Sequence, residues 1–226
     1  MEFVIKVKTK SNLMIGGNEG GFIIGGIDQH TVTKGEKGKE EPYIPGSSFK
    51  GALRKIVRDH GSNEISEIYQ TYLEGILDRV DVESLEEEQK KQFNKFKQQI
   101  KKSTAECLFG IEGMNQSPRL IFSDLYLVPK ECEERNSYFS IDSKNSIDDK
   151  TMDANPRTYK VARAGLIFKG TIRFQNSDKL SADECQNIID YVKQKLVVFK
   201  EGNYRLGNSK SRGYGEIDVE IVRCSE

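Results

Sequence analysis

Tyr43-Ile44-Pro45-Gly46-Ser47-Ser48-Phe49-Lys50-Gly51-Ala52-Leu53-Arg54 is the stretch that organises the chain. Pro45-Gly46 makes a tight turn, and Ser47 or Ser48 can cap the helix that follows. Phe49, Leu53, Ile56 and Val57 recur at helical spacing and form one apolar face. Lys50 and Arg54 sit one helical turn apart on another face. A helix N-terminus with free N–H groups, two hydroxyls and two cations is a cradle for phosphate. Gly46, Ser47, Ser48, Lys50 and Arg54 are therefore candidate ligands for a phosphodiester backbone. The order of glycine, lysine and hydroxyl is not that of a Walker loop. A plain capped helix would explain Ser48 but not the other four together.

Working outward, Phe3, Ile5 and Val7 alternate with Val4, Lys6 and Lys8, the period of a half-buried strand. Six of the eleven residues from Gly16 to Gly26 are glycine, which predicts a shaped loop. Downstream, Ile65, Ile68, Tyr69, Tyr72, Leu73, Ile76 and Leu77 predict a second helix. Residues 81–102 carry Glu86 and Glu87 four positions before Lys90 and Lys91, and they read as a solvated helix. Strands are predicted at Arg119–Val128 and Leu166–Phe174, separated by a polar excursion. Ser181 and Glu184 form a capping box, with Leu180 positioned to staple to Cys185. Ile188, Ile189, Val192, Leu196, Val197 and Phe199 form the predicted buried stripe of that helix. Gly207-Asn208-Ser209-Lys210-Ser211-Arg212-Gly213-Tyr214-Gly215 then leads into a last strand through Ile217, Val219 and Ile221. This order fits an α+β fold with a ferredoxin-like (RRM-like) βαββαβ core. The expectation is one domain over residues 1–226, with a helical insertion at about 62–104 and an excursion at about 129–163.

Composition narrows the function. The 226 residues carry 35 Lys plus Arg against 35 Asp plus Glu, so there is no global attraction to polyanions. The charge is segregated, however. Arg157 to Arg173 holds five bases and no acid, and Arg205 to Arg212 holds three bases and no acid. The second run lies in a Gly/Ser loop, and the first helix adds Lys50, Arg54, Lys55 and Arg58. No apolar run approaches the ~18 residues of a membrane span, and the first residues lack the pattern of a secretory signal. The four cysteines are scattered, as expected of reduced thiols in a cytoplasmic protein. With two histidines, a His-rich metal site is excluded.

The segment Pro45 to Arg54 resembles the signature of the RAMP superfamily of CRISPR-associated RNA-binding proteins, and Gly207 to Gly215 resembles its Gly-rich loop. Ile24-Gly25-Gly26-Ile27-Asp28 is similar to the segment before the signature in the backbone (Csm-type) subunit of type III effector complexes. Leu108-Phe109-Gly110 with Arg119 to Asp124 resembles that subunit's central region. Asn145-Ser146-Ile147-Asp148 with Ala154-Asn155-Pro156-Arg157 resembles its thumb-like hairpin.

The resemblance implies a subunit that stacks in copies along a CRISPR RNA, gripping its backbone. Arg157, Asn208, Ser209, Lys210, Ser211 and Arg212 join the signature residues as implied RNA contacts. It also implies cleavage of guide-paired, single-stranded target RNA at regular intervals, with Asp28 as catalytic residue and as ligand to Mg²⁺ or another divalent cation. Implied partners are a large polymerase-like subunit, a small subunit and end-capping RAMP subunits, with no membrane. From the residues alone, Asp28 also reads as a turn-former, and His30 as an exposed loop histidine. A non-cleaving filament subunit and a CRISPR-RNA processing nuclease are the alternative functions. The chain departs from the family at Leu13-Met14-Ile15, where a histidine is common, and at Ile147-Asp148-Asp149, where an arginine is common.

Overall fold

A computed structural model describes residues 1–16, 29–35, 40–132, 137–147 and 154–225. Its strands are β1 (Glu2–Thr9), β2 (Gln29–His30), β3 (Thr33–Lys34), β4 (Glu41–Ile44), β5 (Arg119–Phe122), β6 (Leu125–Leu127), β7 (Phe139–Ile147), β8 (Ala154–Ala162), β9 (Ile167–Gln175) and β10 (Ile217–Ser225). Its helices are α1 (Gly46–His60), α2 (Asn63–Leu77), α3 (Glu87–Ile100) and α4 (Ala182–Val197). The chain divides into two compact units. One comprises Met1, Leu53–Ile121 and Phe174–Lys195; the other comprises Glu2–Ala52, Phe122–Arg173 and Leu196–Glu226.

The second unit holds the sheets. Its main sheet runs β10-β1-β9-β6-β4-β3, with every neighbouring pair antiparallel. Phe3, Ile5 and Val7 of β1 are buried, as their alternation predicts, and they pair with Ile172, Gly170 and Phe168 of β9. The β1–β10 register shifts between Val4 and Ile5, so β10 carries a bulge. Phe49 stacks on Phe199 with ring centroids 5.5 Å apart. A second, three-stranded sheet runs β2-β8-β7. There β7 and β8 form a long antiparallel hairpin, where the sequence shows only weak periodicity.

The predicted strand Arg119–Val128 is interrupted at Ser123-Asp124, giving β5 and β6. Ser123 explains the break. Its N–H donates to the carbonyl of Thr171 at 3.0 Å, and its hydroxyl accepts the N–H of Thr171 at 2.8 Å.

The helical unit shows how amphipathic spacing is used. Ile65, Ile68, Tyr69, Leu73 and Leu77 of α2 are buried. Ser62 caps the helix, its hydroxyl accepting the N–H of Ile65 at 3.3 Å. Tyr69 donates its hydroxyl to the carbonyl of Pro118 at 2.9 Å, and burial pushes its phenol well above the ordinary range. α3 is exposed on most of its surface, but Ile100, Phe93 and Phe96 dock on Leu73 and Leu77. Its ion pair is Lys90–Glu87 at 3.3 Å, one residue closer than the predicted spacing of four.

Ser181 and Glu184 make the predicted capping box at α4, through bonds of 2.8 and 3.3 Å. Val197, predicted to be buried, is 54% exposed while Val198 is 8% exposed. The chain tightens into a 3-10 turn over Val198–Glu201, which changes the side-chain period. Among the described residues, no helix is long and apolar enough to cross a membrane.

Candidate nucleic-acid interface

The signature turn is built where β4 hands over to α1. The helix begins at Gly46, and the Pro45 carbonyl accepts the N–H groups of Ser48 and Phe49 at 3.0 and 3.2 Å. Ser47 and Ser48 therefore lie inside the first turn rather than at the cap. The N–H of Gly46 is taken by a side chain remote in sequence, because Asp124 Oδ1 accepts it at 2.8 Å. A Cβ at position 46 would lie 2.7 Å from the Ser123 carbonyl oxygen, so only glycine lets the two corners meet. The helix dipole thus already faces one carboxylate, and Ser47 is exposed beside it.

Further along α1, Arg54 and Arg58 converge on Glu106. Arg54 Nε donates to Oε1 at 2.8 Å, and Arg58 donates from Nη2 to Oε1 at 2.8 Å and from Nε to Oε2 at 3.1 Å. The Arg58 hydrogen bonds, reinforced by Arg54, hold the Glu106 carboxyl below the usual carboxylate range. The Arg54 bond to Glu106 uses Nε, one of the five N–H donors of its guanidinium.

The Gly-rich loop is anchored on residues 12–16. The N–H of Asn208 donates to the Met14 carbonyl at 2.6 Å, and that of Gly215 donates to the Asn12 carbonyl at 2.9 Å. Gly207 has φ of +79°, and a Cβ there would stand 2.2 Å from the Met14 carbonyl oxygen. Ser209, at φ of 55°, opens a 3-10 turn over Lys210–Arg212. Asn208, Lys210, Ser211 and Arg212 are exposed and Ser209 is half-buried. A rigid loop base with a hydroxyl- and cation-bearing tip is suited to phosphate and ribose contacts.

The same unit draws further candidates around this loop. Leu13 exchanges backbone hydrogen bonds with Ala162 of β8 at 2.8 and 2.9 Å. β2 pairs in parallel with β8, aligning Gln29 with Tyr159 and His30 with Lys160. Tyr159 meets the Arg212 guanidinium, with Nη1 3.5 Å from the phenol oxygen. Asp28 lies outside the described residues, but Gln29, its chain neighbour, is fixed beside Tyr159. Arg157 is exposed on β8, in register with Lys144. The signature turn and the Gly-rich loop are held by different partners, Asp124 for one and Met14 with Tyr159 for the other.

Several of these holding residues carried no signal as ligands in the sequence. Asp124, Glu106, Asn12 and Asp142 are lone polar residues whose distant partners lie 48 to 152 positions away. In the helical unit, a cleft of about 710 Å³ is lined by Tyr72, Arg79, Asn115, Gln116 and Lys179. None of the candidate RNA ligands lines it. Among the described residues, no three His, Cys, Asp or Glu side chains converge to hold a metal ion.

Known proteins resemble this chain in sequence and in fold. The model of the RAMP superfamily matches residues 6–218. The chain is 24% identical to the CRISPR system Cms endoribonuclease Csm3 of Streptococcus thermophilus, aligned over 100% of this chain and 89% of that one. It is 26% identical to the protein of the same name from Methanocaldococcus jannaschii, over 98% of this chain and 79% of that one. Among solved structures, it resembles a chain of the type III-B Cmr-beta complex bound to cognate target RNA, with a TM-score of 0.53 and 16% identity. That match covers 99% of this chain but spans only 62% of the other's length. A chain of a type IV-B CRISPR complex matches with a TM-score of 0.50 and 14% identity, over 100% of this chain and 94% of that one.

Proposed function

Because the chain belongs to the RAMP superfamily, we propose that it is a backbone subunit of a type III CRISPR effector complex that binds the guide RNA and cuts RNA paired to it. The observation that carries this reading is the exposed Asn208–Arg212 tip, set on a base that also holds the hairpin and the strand following Asp28. Its hydroxyls, amide and cations fit a sugar-phosphate strand and carry no base code. Lys50, with Ser47 and Ser48, would extend the same chemistry at the signature turn, and Arg157 would extend it on the hairpin. The strand order β10-β1-β9-β6, with α1 and α4 as the connections between strands, supports reading the core as ferredoxin-like.

In this reading the chain is repeated along one guide, beside the large, small and end-capping subunits of the complex. Asp28 is the proposed catalytic carboxylate, and a divalent cation such as Mg²⁺ would supply charge stabilisation there. The adjacent 2′-hydroxyl of the target attacks phosphorus, its proton passes to a base, and the 5′-oxygen leaves and takes up a proton. Alignment of that hydroxyl is the main requirement, which a displaced nucleotide meets. The names of the two curated relatives favour cleavage over the non-cleaving alternative.

The test is Asp28→Ala in the purified assembly, with guide content and target fragments both measured. The expected result is unchanged guide content and loss of the regular fragment ladder. A ladder like that of the unaltered assembly would leave the chain as a structural subunit only.

A further inference from the structure

The Gly-rich loop and the β7–β8 hairpin meet through one pair of cross-strand neighbours. Asp142 of β7 stands opposite Tyr159 of β8. Tyr159 meets Arg212, and Asp142 meets Tyr214, two residues further along the same loop. Asp142 Oδ2 accepts the Tyr214 hydroxyl at 2.7 Å and the side-chain amide of Asn12 at 3.1 Å, while Oδ1 accepts the Ser140 hydroxyl at 2.8 Å.

Asn12 completes the connection. Its backbone carbonyl accepts the N–H of Gly215, and its side-chain oxygen accepts the N–H of Ala164 at 3.1 Å, just beyond the hairpin. Beneath these bonds, Met14, Tyr159, Val161 and Tyr214 form one buried apolar cluster. Burial and the bond to Asp142 push the Tyr214 phenol well above its usual range, so it remains a donor. A charged acceptor that gathers donors from three segments resists separation of any one of them.

We propose that Asp142 is a positioning residue that latches the hairpin to the Gly-rich loop, so that RNA contacts made from the two elements keep a fixed spacing. The consequence for RNA rests on the RNA-binding reading above; the latch itself does not. Gln29 belongs to the same row, beside Tyr159, so the latch also steadies the strand that follows Asp28.

The experiment uses the full chain, first alone and then in its assembly, with Asp142→Ala, Asp142→Asn, Tyr214→Phe and the Asp142→Ala/Tyr214→Phe double variant. Hydrogen exchange on the chain reads the latch without RNA. Asp142→Ala is expected to speed exchange in both 139–143 and 207–215, and Asp142→Asn, which still accepts from Tyr214, to restore most protection. Faster exchange in the hairpin alone would overturn the latch.

In the assembly, Asp142→Ala is expected to weaken guide affinity about tenfold, the scale of one lost charged hydrogen bond. The double variant should lose little more than that, because the two residues act as one unit. Independent, multiplying losses would overturn the pairing. Guide affinity unchanged despite faster exchange in both segments would overturn the positioning role. Should the unaltered assembly carry no guide RNA, the RNA-binding reading fails, while the exchange data still decide the latch.

Discussion

A carboxylate oxygen of Asp124 accepts the backbone N–H of Gly46 at 2.8 Å, across 78 positions of sequence. That bond joins the corner between β5 and β6 to the corner between β4 and α1. It does the work of a helix cap from outside the helix, and it sets the direction in which the signature turn is presented.

Asp124→Ala is expected to lower stability by about 1 kcal/mol, the usual cost of losing a helix cap. Asp124→Asn keeps an acceptor oxygen and should lose clearly less. Urea unfolding of both variants measures this, and an alanine variant as stable as the parent would show that the bond contributes nothing.

Gly46→Ala is expected to be the more damaging change. Its added Cβ would meet the carbonyl oxygens of Ser123 and Phe122 at 2.7 and 2.9 Å. Both are backbone atoms, so the relief must come from moving a corner, at roughly 1–3 kcal/mol. The unfolding midpoint and the guide content of the assembly should both fall. An unchanged midpoint would mean that the corner yields freely.

Acid should weaken the parent protein more than its Glu106→Gln variant. The folded-state carboxyl of Glu106 is held low by Arg58 and then Arg54. A depressed carboxyl contributes stability above its unfolded value, and this is lost as pH falls through the lower folded value. The stability gap between parent and variant should therefore be widest near neutrality and close below about pH 4. Added salt should shrink it, since the cluster is partly exposed. A gap independent of pH would remove Glu106 from the account.

Lys210→Ala and Lys50→Ala should each lower the salt dependence of guide binding by about one unit of slope if each neutralises one phosphate. The affinity loss should be the same for unrelated guide sequences. Filter binding across a salt series reads both quantities. A loss confined to particular sequences would mean that these lysines read bases.

Local patterns in the sequence were sound guides to local structure. The faces of α1 and α2, the capping box of Ser181 and Glu184 and the alternation of β1 depend on neighbours within a few residues, and they fold as spaced. The sequence points to Ser47 or Ser48 as the cap of α1, whereas the N–H of Gly46 is satisfied by Asp124 from another corner. The β7–β8 hairpin gave little periodicity, since residues such as Asp142 and Tyr159 face a loop of polar and apolar groups rather than a uniform core. Asn208 to Arg212 are legible in the sequence as part of a cationic Gly/Ser loop, but the residues that hold that loop are not. Asp28 stands out through family likeness alone, and it lies outside the described residues.

The bulge in β10 bears on how copies can assemble. A sheet that ends in a regular, flat strand offers its unpaired amides to the next molecule as a template. Here the terminal strand is kinked opposite Val4 and Ile5 and carries Glu220 and Arg223 along its length. Such a border resists zipping onto another border, so copies stacked as proposed would meet through side-chain surfaces, with their register dictated by a shared strand of RNA rather than by the peptide backbone.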